Sequence, residues 1–195
     1  SAEQLTARLR SLPRAVGYIA PMFVARVEAL AEEGYVNRFK AMVPPEGALA
    51  SQFYYDGVFD LKDDEALIIE SDVPEMCEYR SLILTNGLYE TIDWTNNHSS
   101  LNGAQADPDS DGKLRIVVSE EDPGVRNWLD TAGYSRGIIQ GRWTGRRSQP
   151  IPSVTKVKLA DVRKHLPADV ATVSPEERDA LIRDRNLAYQ ERSLW

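Results

Sequence analysis

The chain has one cysteine, two histidines and no long uncharged apolar run, and each scarcity closes off a class of explanation. Cys77 has no partner for an internal disulfide and leaves no cysteine-rich metal site. Its place just before an expected strand reads as a small buried apolar residue. Basic residues are outnumbered, 23 to 30, and the net charge of −7 excludes a surface that tracks a nucleic-acid backbone. No segment is long enough to span a membrane. Ala15–Ala25, between Arg14 and Arg26, has the length of a signal-peptide core. Gly17 and Pro21 interrupt it, however, and it runs on into an amphipathic pattern, so it reads as a packed helix of a cytoplasmic protein. The chain begins with Ser rather than Met. Its 195 residues, 42% of them hydrophobic, suffice for one domain over 1–195 with a full core.

Three zones follow one another. Residues 1–43 read as a helical arm: Leu5 and Leu9 share a face, and Val16, Ile19, Phe23, Val27 and Leu30 recur at three- and four-residue spacing. Pro13 is expected to open a second helix, Pro21 to kink or break it, and Pro44-Pro45 to end the zone. Residues 46–160 read as β. Six short segments, Phe53–Phe59, Ala66–Glu70, Tyr79–Thr85, Leu114–Ser119, Gly137–Trp143 and Val154–Leu159, are rich in branched and aromatic residues. Gly, Pro, Asp and Asn clusters separate them, and no helical pattern alternates with them, so an antiparallel sandwich or barrel is expected. Val154–Leu159 alternates imperfectly, as a strand near an edge does.

Residues 161–195 return to helix. Ser174-Pro175-Glu176-Glu177 is a capping box with proline at the first helical position. Leu181, Ile182, Ala188 and Tyr189 are expected to form its apolar stripe, with Arg178, Asp179, Arg183, Asp184 and Arg185 facing water.

Several motifs imitate known chemistry. Gly133-Tyr134-Ser135-Arg136-Gly137 spells the nucleophile pattern G-x-S-x-G, but a strand, not a helix, follows it, and Asp161 and His165 sit four apart on one short stretch. A turn is the better reading. Asp107, Asp109 and Asp111 begin a calcium loop, yet its twelfth position is Val118 where a bidentate Glu is required. An acidic hairpin turn closed by Asp-Gly is the better reading, with a non-helical calcium turn as the weaker one. His165 suits a helix end. His98 lies in an Asn- and Ser-rich segment beside Trp94, the composition of a polar pocket wall. Arg142, mid-strand, either faces solvent or clamps a carboxylate.

Asp122–Asp130 is an unusual loop, because a turn leads directly into Asn127, Trp128 and Leu129. Trp128 there either plugs the end of a sandwich or lines a pocket. The order is Tyr79–Thr85, the Asn-rich loop, Asp111–Ile116, Asn127-Trp128-Leu129 and the Arg142 strand. In that order, over roughly residues 75–150, the chain resembles the family catalogued as domain of unknown function 1214. The family pattern has Phe-Trp-Ser-Leu where this chain has Tyr79-Arg80-Ser81-Leu82, and Pro-Ala-Pro where it has Asp130-Thr131-Ala132. The resemblance implies a bacterial, mostly antiparallel jelly-roll-like sandwich with helical additions, and it supplies no catalytic residue. Relatives often carry a second domain.

The expectation is therefore a mainly β fold, an antiparallel jelly-roll-like sandwich flanked by N- and C-terminal helices. A small oxygen-rich or acidic molecule would bind near Trp94, Asn96, His98, Asn102, Asn127, Trp128 and Arg142, without a metal or other cofactor. Two alternatives stand beside it. One is a cofactor-independent lyase, isomerase or hydrolase using His98 as base and Arg142 as clamp. The other is a homo-oligomer formed through the helical arms.

Overall fold

The computed structural model of the chain describes residues 1–43, Gly47, Leu49 and 51–192. Its elements, in order, are α1 (Ala2–Glu32), β1 (Lys40–Met42), β2 (Gln52–Asp60), β3 (Glu65–Asp72), β4 (Tyr79–Thr85), β5 (Ser100–Asn102), β6 (Lys113–Ser119), β7 (Trp128–Asp130), β8 (Arg136–Thr144) and β9 (Ser153–Lys158). A 3₁₀ helix (Leu159–His165) and α2 (Pro175–Gln190) complete them. All six expected strands form, and β1, β5 and β7 add three residues each. Pro44 and Pro45, expected to end the helical zone, lie outside the described residues.

The strands build two sheets, β1-β2-β8-β4-β5 and β7-β6-β3-β9, which pack as a sandwich. Every ladder is antiparallel except the short β6–β7 pair, where Val117 lies beside Trp128 in parallel register. β9 is an edge strand, as its imperfect alternation implies.

Alternation along the strands sends Phe53, Tyr55 and Phe59 of β2, Leu82 and Leu84 of β4, and Trp143 of β8 into the space between the sheets. They meet Leu67 and Ile69 of β3 and Leu114, Ile116 and Val118 of β6. Two glycines of β8 make room for the rings. Tyr55 pairs with Gly141 and Phe59 with Gly137. A Cβ at Gly141 would stand 1.9 Å from the Tyr55 ring, and one at Gly137 would stand 2.1 Å from the Thr85 carbonyl oxygen. The buried Trp143 donates Nε1–H to the Pro150 carbonyl at 3.0 Å, so its one polar group is not left unpaired.

The outer faces are covered unequally. On the four-stranded sheet, Ala66, Ile68, Val117, Trp128 and Val157 pack under Val162 and Leu166. On the five-stranded sheet, Val58 and Ile138 take Val27 and Leu30 of α1. Beside them Asp56, fully buried, accepts hydrogen bonds from Arg26 Nη2 at 2.8 Å and from the Tyr89 hydroxyl at 2.9 Å.

The helices depart from expectation in two respects. Neither proline breaks α1, which runs unbroken through Pro13 and Pro21. Each costs one backbone hydrogen bond, but residues 1–22 are all exposed, so water can satisfy the carbonyls left free. Exposure also means that most of the Ala15–Ala25 stretch is not packed, Phe23 and Val24 alone being half-buried. Of the expected stripe only Val27 and Leu30 are buried. In α2 the capping box forms as expected, with Ser174 and Glu177 bonding reciprocally. Its docking face is reversed, however: the buried residues are Arg178 and Arg185, whereas Leu181 and Tyr189 are exposed. Cys77 is half-buried against the core, and its Sγ–H donates to the Tyr79 carbonyl.

Since the Tyr55 ring fills the place of a Gly141 side chain, Gly141→Ala is expected to destabilise the fold by at least about 1–3 kcal/mol, the usual cost of overpacking. Urea denaturation checks this; an unchanged midpoint would show that β2 and β8 can part to admit a methyl group.

Candidate functional site

The region around α2 is organised by arginines spaced seven residues apart: Arg178 and Arg185 share one face of the helix, and Arg192 follows just past its end. Arg178 is buried and uses its whole fork. Nε donates to Asp122 Oδ2 at 2.8 Å, Nη2 to the Val125 carbonyl, and Nη1 to the Arg126 carbonyl at 3.4 Å. Its guanidinium lies 5.0 Å from the centre of the Trp128 ring. The Asp122-Pro123-Gly124 turn thus presents the carboxylate that receives α2, and Gly124, at φ 71°, supplies the left-handed conformation the turn needs.

His98 sits beneath this arginine, stacked on Trp128 with ring centres 6.0 Å apart. The Trp128 carbonyl can only accept, so His98 Nδ1 carries the proton, and Nε2 turns its lone pair to Arg178 Nη1 at 3.4 Å. Burial lowers the imidazole pKa from its ordinary 6.5 to about 4, helped by the charges of Arg178 and Arg185 and opposed by the Trp128 hydrogen bond and Asp122. His98 is therefore neutral at physiological pH, with both nitrogens engaged. Trp128 donates Nε1–H to the Ser119 hydroxyl at 3.0 Å and begins β7 rather than lying in a loop.

A cleft of about 580 Å³ opens between the outer face of the five-stranded sheet and α2. Register places Tyr54, Arg142, Ser81 and Asn102 side by side across four strands of the floor. Arg142, half-buried, stacks 4.7 Å from the centre of the Tyr54 ring. Arg185, in the opposite wall, is 9% exposed, and its hydrogen-bond partners are uncharged: the Trp94 carbonyl at 3.2 Å, and the Ser100 hydroxyl and carbonyl, both at 3.0 Å. Arg192 lies 5.0 Å from the Trp94 ring, which meets Tyr189 edge-on. Among the described residues no Asp or Glu lines this cleft, and none of its three arginines forms an ion pair.

Of the residues singled out from sequence, the cleft brings together Trp94, Asn102 and Arg142. His98 lines a separate cavity on the other side of Arg185, bounded by Glu177, Leu181 and Asp184 of α2. His98 and Arg142, the pair the catalytic alternative requires, thus line different cavities. Asn96 is exposed and bonds Asp93 and Asn186. Asn127 is buried, and its Nδ2 ties the Asp107 carbonyl to that of Arg115. Between the sheets, beside Tyr55, Leu82 and Trp143, there is only about 20 Å³, room for a water molecule.

The acidic loop closes on an arginine. Arg115 Nη1 reaches Asp109 at 2.8 Å, Nη2 reaches Asp111 at 2.8 Å, and Nε reaches Glu70 at 2.7 Å, while Asp107 pairs with Arg126 at 3.2 Å. The three candidate calcium ligands therefore neutralise arginines, and no group of three or more metal-binding side chains converges among the described residues. Ser135 sits in the turn into β8, where its carbonyl accepts from the Leu61 N–H, and Asp161 pairs with Lys164.

Fold and site together define a two-sheet β-sandwich framed by helices, with an arginine-lined cleft on one outer face. No family model matches the chain, and no curated protein does. Among solved structures it is similar to an uncharacterized protein from Burkholderia cenocepacia, 30% identical with a TM-score of 0.67, over 72% of this chain and 39% of that one. The chain thus spans about two-fifths of that protein's length. It is also similar to the VPA0106 protein from Vibrio parahaemolyticus, at 18% identity and a TM-score of 0.46, over 58% of this chain and 33% of that one. No helix among the described residues is long and apolar enough to cross a membrane.

Because the fold holds His98 neutral while the unfolded chain protonates it below about pH 6.5, its contribution to stability is complete above that pH and declines as pH falls towards about 4. The loss should reach about 3 kcal/mol. Urea midpoints across this range should therefore fall more steeply for the native chain than for His98→Gln. Asp130, whose pKa burial raises, gives the opposite slope in both proteins and cancels in the comparison. Equal slopes would mean that His98 accepts a proton without disturbing α2.

Proposed function

We propose that this domain binds a small anionic molecule, carboxylate- or phosphate-bearing, in the cleft between the five-stranded sheet and α2. One observation carries the reading. In a chain of net charge −7 with 30 acidic residues, the cleft is walled by Arg142, Arg185 and Arg192 and has no carboxylate among the described residues. Arg185 is the most telling of the three. A guanidinium taken out of water is costly unless opposite charge compensates it, and here dipoles alone do so. An anion in the cleft would supply the missing charge, and planar arginines offer it paired N–H donors. Ser81, Asn102 and Gln140 add neutral hydrogen-bonding groups, and Trp94 and Tyr79 add apolar area.

The family resemblance belongs to the same reading. We propose that the chain is a divergent relative of the domain of unknown function 1214 family. The succession of β4, the Asn-rich loop, β6, Asn127-Trp128-Leu129 and the Arg142 strand supports this, as does the similarity to an uncharacterised bacterial protein.

Citrate and inorganic phosphate serve as probes. Each is expected to raise the melting temperature beyond sodium chloride of equal ionic strength, and Arg142→Gln, on the sheet wall and outside the helix-docking network, is expected to weaken the tighter of the two by about 10- to 100-fold. Equal shifts with sodium chloride, or binding that survives Arg142→Gln unchanged, would refute the assignment.

A further inference from the structure

We infer that α1 is a dimerisation arm that pairs antiparallel with α1 of a second copy, with the two-fold axis beside Leu12. The inference is independent of the cleft and rests on the spacing of one stripe. Leu5, Leu9, Leu12, Val16, Ile19, Phe23, Arg26 and Leu30 alternate four and three residues apart along the whole helix. That is the 3.5-residue period of a seam between supercoiled helices, narrower than the face a helix lays on a globular surface.

The C-terminal part of the seam is already filled. Phe23 meets Tyr89 with ring centres 5.5 Å apart, Arg26 binds Asp56, and Leu30 packs with Val58 and Ile138. The other five positions, Leu5, Leu9, Leu12, Val16 and Ile19, continue the same line into solvent, 47–61% exposed. The unpartnered stripe is thus an extension of an interface the molecule already makes.

Two features select a second copy, and select the antiparallel direction. First, the free stripe is nearly symmetric about Leu12: with one chain reversed, Leu5 lies level with Ile19, Leu12 with itself, and Leu9 one residue off Val16. This is the self-complementarity that a two-fold interface requires. Second, a parallel partner helix would carry its own sandwich, at its own Phe23–Leu30, into the sandwich already there, whereas an antiparallel one puts the two bodies at opposite ends. Pro13 and Pro21 lie off the seam and do not obstruct it. The paired segments, residues 4–20, would run side by side for about 26 Å.

Sedimentation of the full chain is expected to give twice the monomer mass, and Leu12→Glu to weaken association by about 100-fold or more, since it places two carboxylates together at the axis. Leu12 is exposed in the monomer, so near-ultraviolet circular dichroism of the sandwich should not change in that variant. Direction is read by crosslinking in a Cys77→Ala background. Leu12→Cys should oxidise to a covalent dimer, and Leu5→Cys should link to Ile19→Cys of another copy but not to itself. A monomer at about 100 µM, self-linking of Leu5→Cys, or a monomer that instead sediments with phosphatidylglycerol vesicles would overturn the assignment.

Discussion

The placement of α2 depends on one buried guanidinium. Arg178 joins the Asp122 carboxylate, two backbone carbonyls, the face of Trp128 and the lone pair of His98, and these partners come from two different stretches of chain. A helix with its apolar side chains exposed gains little from the hydrophobic effect, so its position must come from directional contacts. Paired and fully bonded, a buried arginine fixes one geometry strictly, because every alternative leaves a charge uncompensated. The cleft inherits that strictness. Arg185 follows Arg178 seven residues on along the same helix, and Arg192 lies just past its end, so the contact that fixes the first sets the other two opposite Arg142.

The interior answers to a different constraint. The sheets are held by large rings that need space in the facing strand, and Gly137 and Gly141 provide it at the two positions paired with Phe59 and Tyr55. With that space filled, β8 lies centrally in its sheet and turns Gln140 and Arg142 outward on the alternate residues. The packing that leaves no ligand-sized cavity inside is thus what gives the outer face its polar floor.

The sequence discloses these features unevenly. The six longer strands are legible because five or more residues suffice to display alternation; β1, β5 and β7, with three each, are too short for a period and form only because a neighbour offers a ladder. Both prolines of α1 mislead, since exposure removes much of the penalty that breaks a buried helix. In α2 the error is one of polarity: arginines are ordinarily assigned to water, and these two are buried. Their seven-residue recurrence was nonetheless visible, and it is the signal that would have found Arg185 and Arg192. Trp94, Asn102 and Arg142 could be picked out as pocket-forming types, but their union with α2 rests on contacts more than 80 residues apart, beyond the reach of local pattern.

The contrast among the buried arginines bears most directly on function. Arg115 has three carboxylates and Arg178 has one, but Arg185, as deeply buried, has none among the described residues. Burial with that set of neighbours lowers its pKa, so its charge is held at a cost. The first two arginines serve structure, each closing a loop or docking a helix on an acid the chain itself supplies. Equal burial without an internal acid calls for a different account, and an anion from solution supplies one. Such an anion would touch the sheet through Arg142 and the helix through Arg185, so its binding energy would also tighten the seat of α2. Structure and recognition in this domain would then use the same chemistry, a guanidinium against a carboxylate or phosphate, with the acid built into the chain in one case and captured from solution in the other.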